Sequence, residues 1–166
     1  MMTFKQLHDI SGVPEGDMRQ VFMALGADLI EVGTMTLASF GGKPISPDRV
    51  LAVLLFHWMT RSGHARDHSL SVITYFRTQL KTLGDDLASA DNSWEGPLNV
   101  VMIQDGQYVT GEWDVPAFDF TELKTVERSD LPLPVMFQGL SLVGAYLRTI
   151  STIQSQPAEA ASSGSD

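Results

Sequence analysis

The chain contains no cysteine, which removes disulfides, thiolate nucleophiles and cysteine-ligated zinc from consideration. A disulfide-free chain of this kind is expected in the cytoplasm. Residues Met1 to Ile10 carry Lys5 and Asp9 and no apolar core, so a secretory leader is not expected. Long hydrophobic runs are also missing. The longest, Val50 to Phe56, extended past His57 by Trp58 and Met59, is about half of the ~20 residues a membrane-spanning helix needs. It is expected to be a buried helix, and no membrane association is expected. There is no P-loop, no G-x-G-x-x-G and no G-x-S-x-G. A Ser-His-Asp triad leaves no sequence signature, and none is marked here. No enzymatic activity and no cofactor are expected.

The chain is acidic, with a net charge of −9, and the acidity is concentrated in one block. Residues 1–81 hold 8 basic and 7 acidic side chains, whereas residues 82–130 hold 2 basic and 11 acidic ones. The first half is locally suited to a polyanion, and the second would repel one. From Ser155 onward the composition collapses to small and polar residues, the signature of a disordered tail.

Local signals predict helices in the first half. Thr3 with Gln6 reads as a capping box, Ser11-Gly12 ends that helix, Pro14 opens a second and Gly26 closes it. Asp28–Val32 and Met35–Phe40, around Gly33-Thr34, admit a short β-hairpin or a frayed helix end. Ser46-Pro47-Asp48 starts a helix reaching about Arg61 that is apolar on nearly every side and belongs at the centre. Asp67 caps a further helix ending at Gly84, and Asp85–Gly96 reads as a loop. Leu98–Gln104, Asp105-Gly106 and Gln107–Trp113 spell a hairpin, and Pro116 opens a third strand with Phe118 and Phe120. Val135–Ile150 reads as a helix, either buried on that sheet or forming a subunit interface. The expected class is therefore α+β. A helical part over 1–84 that admits a winged helix-turn-helix precedes an acidic antiparallel sheet with a C-terminal packing helix over 85–154, and a tail follows over 155–166.

Four groups are candidates for function. The first is Thr3-Phe4-Lys5-Gln6-Leu7, Ser11-Gly12-Val13 and Met18-Arg19. It resembles the helix-turn-helix of the MerR-like regulators, with Thr3, Leu7, Gly12, Val13, Met18 and Arg19 in matching places over residues 3–40. The chain departs from that pattern at His8 and at Gln20-Val21, and no long dimerisation helix follows. The resemblance implies a sequence-specific transcription regulator of double-stranded DNA. On the residues themselves, Leu7, Val13, Met18 and Val21 would lock two helices together and present Glu15, Arg19 and Gln20 outward. Lys5 would join them, with Arg61, Arg66, Arg77 and Lys81 at phosphates.

The second group, His57, His64 and His68, contains a four-residue spacing but is broken by Ser62-Gly63, and no metal site is expected. The third is the acidic block, with Asp85, Asp86, Asp105, Glu112, Asp114, Asp119 and Glu122. It reads as a solvated face or as a docking surface for a basic protein partner. On that alternative the chain is an acidic interaction module (an adaptor, chaperone or phage-type accessory subunit) that does not bind DNA. The fourth is the C-terminal apolar segment, where Gly139 and Gly144 would allow a close helix approach in a homo-oligomer.

Overall fold

The computed structural model describes residues 2–90, 98–104, 107–113, 124–128 and 135–155, and the side chains of 2–90 and 142–155. The capping box at Thr3 opens α1 (Phe4–Ser11), with Gln6 N–H donating to Thr3 Oγ1 and Thr3 N–H donating to Gln6 Oε1. The remaining free amides of its first turn are also satisfied. Phe4 N–H donates to the Lys43 carbonyl at 3.1 Å and Lys5 N–H to the Gly41 carbonyl at 3.0 Å. Helix α2 (Glu15–Ala24) ends in a Schellman arrangement, with Gly26 N–H bonded to Met23 O and Ala27 N–H to Phe22 O.

The next segment is helical, not a wing. Asp28 caps α3 (Leu29–Gly33) through Ile30 N–H at 2.7 Å, and Thr36 forms a capping box with Ser39 at the head of α4 (Leu37–Phe40). The side-chain oxygens of Asp28 and Thr36 satisfy helical amides locally, which outweighs the weak strand tendency of the residues between them.

Helix α5 (Pro47–Arg61) is the centre of the molecule. Val50, Leu51, Ala52, Val53, Leu55, Phe56, Trp58 and Met59 are all buried on it. Pro47 pre-sets its first turn, and the chain leaves through Gly63, with His64 N–H returning to Met59 O at 3.1 Å. Helices α1, α2, α6 (Arg66–Tyr75), α7 (Arg77–Ser89) and α8 (Leu142–Ser155) pack around it. Seven large apolar side chains, at about 1.5–3 kcal/mol each, contribute on the order of 10–20 kcal/mol of gross burial through this one helix.

The expected helix from Asp67 to Gly84 is instead two. The chain breaks at Phe76, whose side chain is buried, and α7 continues through Gly84 to Ser89. Asp67 lies in the first turn of α6, and Ala65 holds the cap position. Glycine persists inside α7 because a Cβ on Gly84 would lie 2.6 Å from the backbone nitrogen of Asp48 at the start of α5. The glycine marks a close helix crossing, and Asp85–Ser89, read as the start of a loop, is helical.

The α+β class is overturned. Of residues 2–90 and 142–155, 77% are helical and none lies in a strand, so the protein is mostly helical. Every buried side chain of the described core comes from this helical part. Residues 98–141 are described by backbone alone, as paired extended segments β1 (Leu98–Gln104), β2 (Gln107–Trp113), β3 (Lys124–Arg128) and β4 (Val135–Ser141), in the order β2-β1-β4-β3. The predicted helix over 135–150 is corrected as well. Val135–Ser141 is extended and the helix starts at Leu142. Val135, Phe137 and Gly139 are poor helix formers, and an apolar run does not by itself fix the period. Helix α8 buries Leu142, Val143, Tyr146, Thr149 and Ile150 and packs on α5. The expected Asp105-Gly106 turn, the Pro116–Phe120 strand and the tail beyond 155 lie outside the described residues.

The Gly84 contact is directly testable. Gly84→Ala forces α7 away from α5 and is expected to lower stability by about 1–3 kcal/mol, despite alanine's better helix propensity. Gly33→Ala, in a helix with no atom near the new Cβ, is expected to be neutral or slightly stabilising. Urea denaturation of the two variants measures the contrast, and equal midpoints would mean that the α5–α7 crossing has room to relax.

Candidate nucleic-acid interface

The junction between α1 and α2 is tightly built. Gly12 has φ 65°, a left-handed conformation that suits glycine, and its N–H closes α1 on His8 O at 2.9 Å. Ser11 is buried and clasps the turn from both sides, its hydroxyl donating to Leu7 O at 2.7 Å and accepting from Val13 N–H at 3.2 Å. Leu7, Val13, Met18 and Val21 are all buried, and the Phe4 ring meets Phe22 and Phe40 edge-on at 6.2 and 6.0 Å. Two helices joined by a short turn are thus present where the sequence places them, without the hairpin that would make a wing.

The outward face of α2 is less basic than the sequence suggests. Glu15 does not project freely: its Oε2 accepts Leu37 N–H at 2.9 Å, so it caps α4, and its Oε1 lies 3.4 Å from Arg19 Nη1. Gln20 is exposed beside them. Lys5 pairs with Asp9 one turn along α1, and Asp9 also meets His8 Nδ1 at 3.2 Å. The Lys5 ammonium, and after it His8, hold the Asp9 carboxyl below its usual range.

Arg66, at the start of α6, reaches α2. Its Nε and Nη2 both lie 2.6 Å from Asp17 Oδ1. This carboxylate was not legible as a site residue, because its partner is 49 positions away in sequence. Arg61, Arg77 and Lys81 are exposed, and none is ion-paired to a carboxylate among the described residues. Arg77 and Lys81 lie one turn apart on α7. Arg49 is engaged elsewhere, paired to Glu31 at 2.7 Å and lying over the Phe22 ring at 5.2 Å. Of the eight candidate contacts, then, Glu15 is structural, Lys5, Arg19 and Arg66 are paired internally, and Gln20, Arg61, Arg77 and Lys81 stand open among the described residues.

The three C-proximal histidines do not converge. His57 lies on α5, His64 in the loop after it and His68 on α6, with the His64 and His68 rings 5.9 Å apart. No group of three or more metal-ligating side chains forms among the described residues. Asp85 and Asp86 are exposed on α7, but Asp105, Asp114, Asp119 and Glu122 lie outside the described residues, as does the side chain of Glu112. Among the described residues no helix is long and apolar enough to cross a membrane. Comparison with family models, with curated proteins and with solved structures finds no match.

Two measurements follow from this geometry. Glu15→Ala removes the acceptor of Leu37 N–H and is expected to cost about 1 kcal/mol, as a lost helix cap does. Arg19→Ala removes only an exposed ion pair and should cost less than about 0.5 kcal/mol. Equal losses in chemical denaturation would argue against the cap.

The second concerns pH. Burial, and then the Arg61 charge, hold the His57 imidazole below its ordinary value of 6.5. As pH falls through that value the unfolded chain takes up a proton before the folded one, so this contribution is intact above it and is lost below it. Melting temperature should fall between about pH 7.5 and 5.5, and fall less in His57→Gln. Parallel profiles for the two proteins would place the titration elsewhere.

Proposed function

We propose that the protein is a DNA-binding regulator that meets double-stranded DNA through α2 and the basic surface of α5–α7. The observation that carries this reading is the set of bases left open on one stretch of chain. Among the described residues, Arg61, Arg77 and Lys81 are exposed without carboxylate partners, while the acidic side chains at the head of α2 are already occupied by Arg19, Arg66 and Leu37 N–H. Gln20 and the Arg19 guanidinium supply groups that can read base edges, and Arg61, Arg77 and Lys81 supply phosphate contacts. The pair between Arg19 and Glu15 is exposed and weak, so DNA can displace it.

The experiment is retention of sheared DNA from the native source across a salt series, followed by sequencing of what is retained. A defined site whose affinity falls steeply with salt is expected. Arg19→Ala should weaken specific binding about tenfold or more while leaving the melting temperature unchanged, the size of one lost base contact. Arg77→Ala/Lys81→Ala should weaken all sequences alike and flatten the salt slope by about two. No retention at low salt would overturn the proposal.

A second reading is an acidic protein-interaction module. It is favoured by Leu29 and Ile30, adjacent on α3 and 75% and 80% exposed, flanked by Asp28 and Glu31. On that reading a nuclease-insensitive basic protein is recovered with the full chain, and Ile30→Asp abolishes the recovery.

A further inference from the structure

The Arg66–Asp17 pair differs from the other ion pairs at the candidate interface. Lys5–Asp9 and Arg19–Glu15 join residues one turn apart on a single helix, whereas Arg66–Asp17 joins the head of α6 to the head of α2. Its geometry is also specific. Two nitrogens on one edge of the guanidinium converge on a single carboxylate oxygen at 2.6 Å each, so the anion held there engages the same N–H groups that a phosphate oxygen would use. Asp17 Oδ1 thus occupies on Arg66 the place that a backbone phosphate would take. The Asp17 side chain is 24% exposed and that of Arg66 is 49% exposed, so solvent and ligand reach the arginine from the outside while the carboxylate holds it from within.

We propose that Asp17 is an internal competitor for phosphate. It keeps Arg66 closed in the free protein, and DNA binding exchanges the carboxylate for a phosphate oxygen. This inference rests on the DNA-binding reading and adds its regulation. The exchange conserves charge at Arg66 and leaves Asp17 to solvent, at the edge of α2 and close to the incoming strand. Asp17 therefore opposes binding by occupying Arg66. A weakly bound DNA is rejected, and one that makes the remaining contacts of α2 and α7 overcomes the pair.

The test is anisotropy of a fluorescein-labelled mixed-sequence duplex of about 30 base pairs, titrated with the full chain at several salt concentrations. The proteins compared are wild type, Asp17→Asn, Arg66→Ala, the double variant of these two, Arg77→Ala/Lys81→Ala, and Asp86→Asn as a control for net charge. Asp17→Asn should bind about two- to fivefold more tightly, the range expected for release of one exposed pair. Its salt slope should steepen by about one. The gain should vanish in the Arg66→Ala background, and Asp86→Asn should reproduce little of it. Asp17→Ser provides a second variant should the asparagine protein melt early.

Unchanged or weaker binding by folded Asp17 variants overturns the competitor role, as does a gain that survives without Arg66. If wild type binds, Arg77→Ala/Lys81→Ala weakens it and Asp17→Asn has no effect, only this inference falls. Absence of binding by every protein in the series removes the DNA-binding reading with it.

Discussion

The molecule depends on burial of α5. A helix with eight buried residues, and a stripe through Leu54, His57 and Arg61 partly open, cannot sit at a surface; it requires partners on most sides, and five other helices supply them. The gross stabilisation through this element, on the order of 10–20 kcal/mol, exceeds the net stability of about 5–15 kcal/mol that a domain of this size keeps. The rest of the helical part is therefore arranged to cover α5. Helix α7 crosses closely enough to need glycine at position 84, and α8 returns from distant sequence to lay Val143, Tyr146 and Ile150 in the same core. The short helices α3 and α4 close the side where Phe4, Phe22 and Phe40 meet.

That arrangement decides what the surface can offer. With α2 packed on α5 and α6, its first-turn carboxylates are brought against partners that the local sequence does not contain. Asp17 meets Arg66 and Glu15 meets the amide of Leu37. A helix that reads as two acids and one arginine thus presents neutralised flanks around Gln20. The cost of this neutralisation is that Arg19 and Arg66 are held by carboxylates of the same chain, so a polyanion must exchange partners and not simply add to them.

Signals confined to one turn of chain were legible in the sequence. The Thr3–Gln6 box, the Gly12 turn, the Gly26 terminus and the Pro47 start each rest on a bond or a torsion within a few residues. The centrality of α5 was legible for a related reason, since a helix without a polar face has nowhere else to go. What failed was decided at long range. Gly84 resembles a stop until Asp48 lies against it. The 28–40 segment, open between hairpin and helix in the sequence, is decided by its own caps at Asp28 and Thr36 and reinforced from a distance by Glu15. The α+β class failed because the alternation after residue 97 says nothing of where the core lies, and the buried side chains described all come from residues 2–90 and 142–155, which are mostly helical. In the candidate interface, exposure at Gln20, Arg61, Arg77 and Lys81 followed from their polarity. The engagement of Glu15 and Arg66 did not, because each partner lies more than 20 positions away.

The net charge of −9 argues against a polyanion partner, but the range of electrostatics limits its weight. At physiological ionic strength charges separated by more than about 8 Å are largely screened, so the acidic stretch acts on a bound strand only where it comes close. Over residues 61–81 the balance is four basic side chains against Asp67 alone. The local surface and the whole molecule therefore respond oppositely to salt. Added salt relieves the repulsion from the acidic stretch and weakens the phosphate contacts through lost counterion release. On the DNA-binding reading the observed dependence is the difference of the two, shallower than the number of phosphate contacts alone would give. On the same reading, an acidic chain bearing a local basic surface would be a selective binder: the repulsion would be felt by every approaching strand, and only one that fits the open bases would offset it.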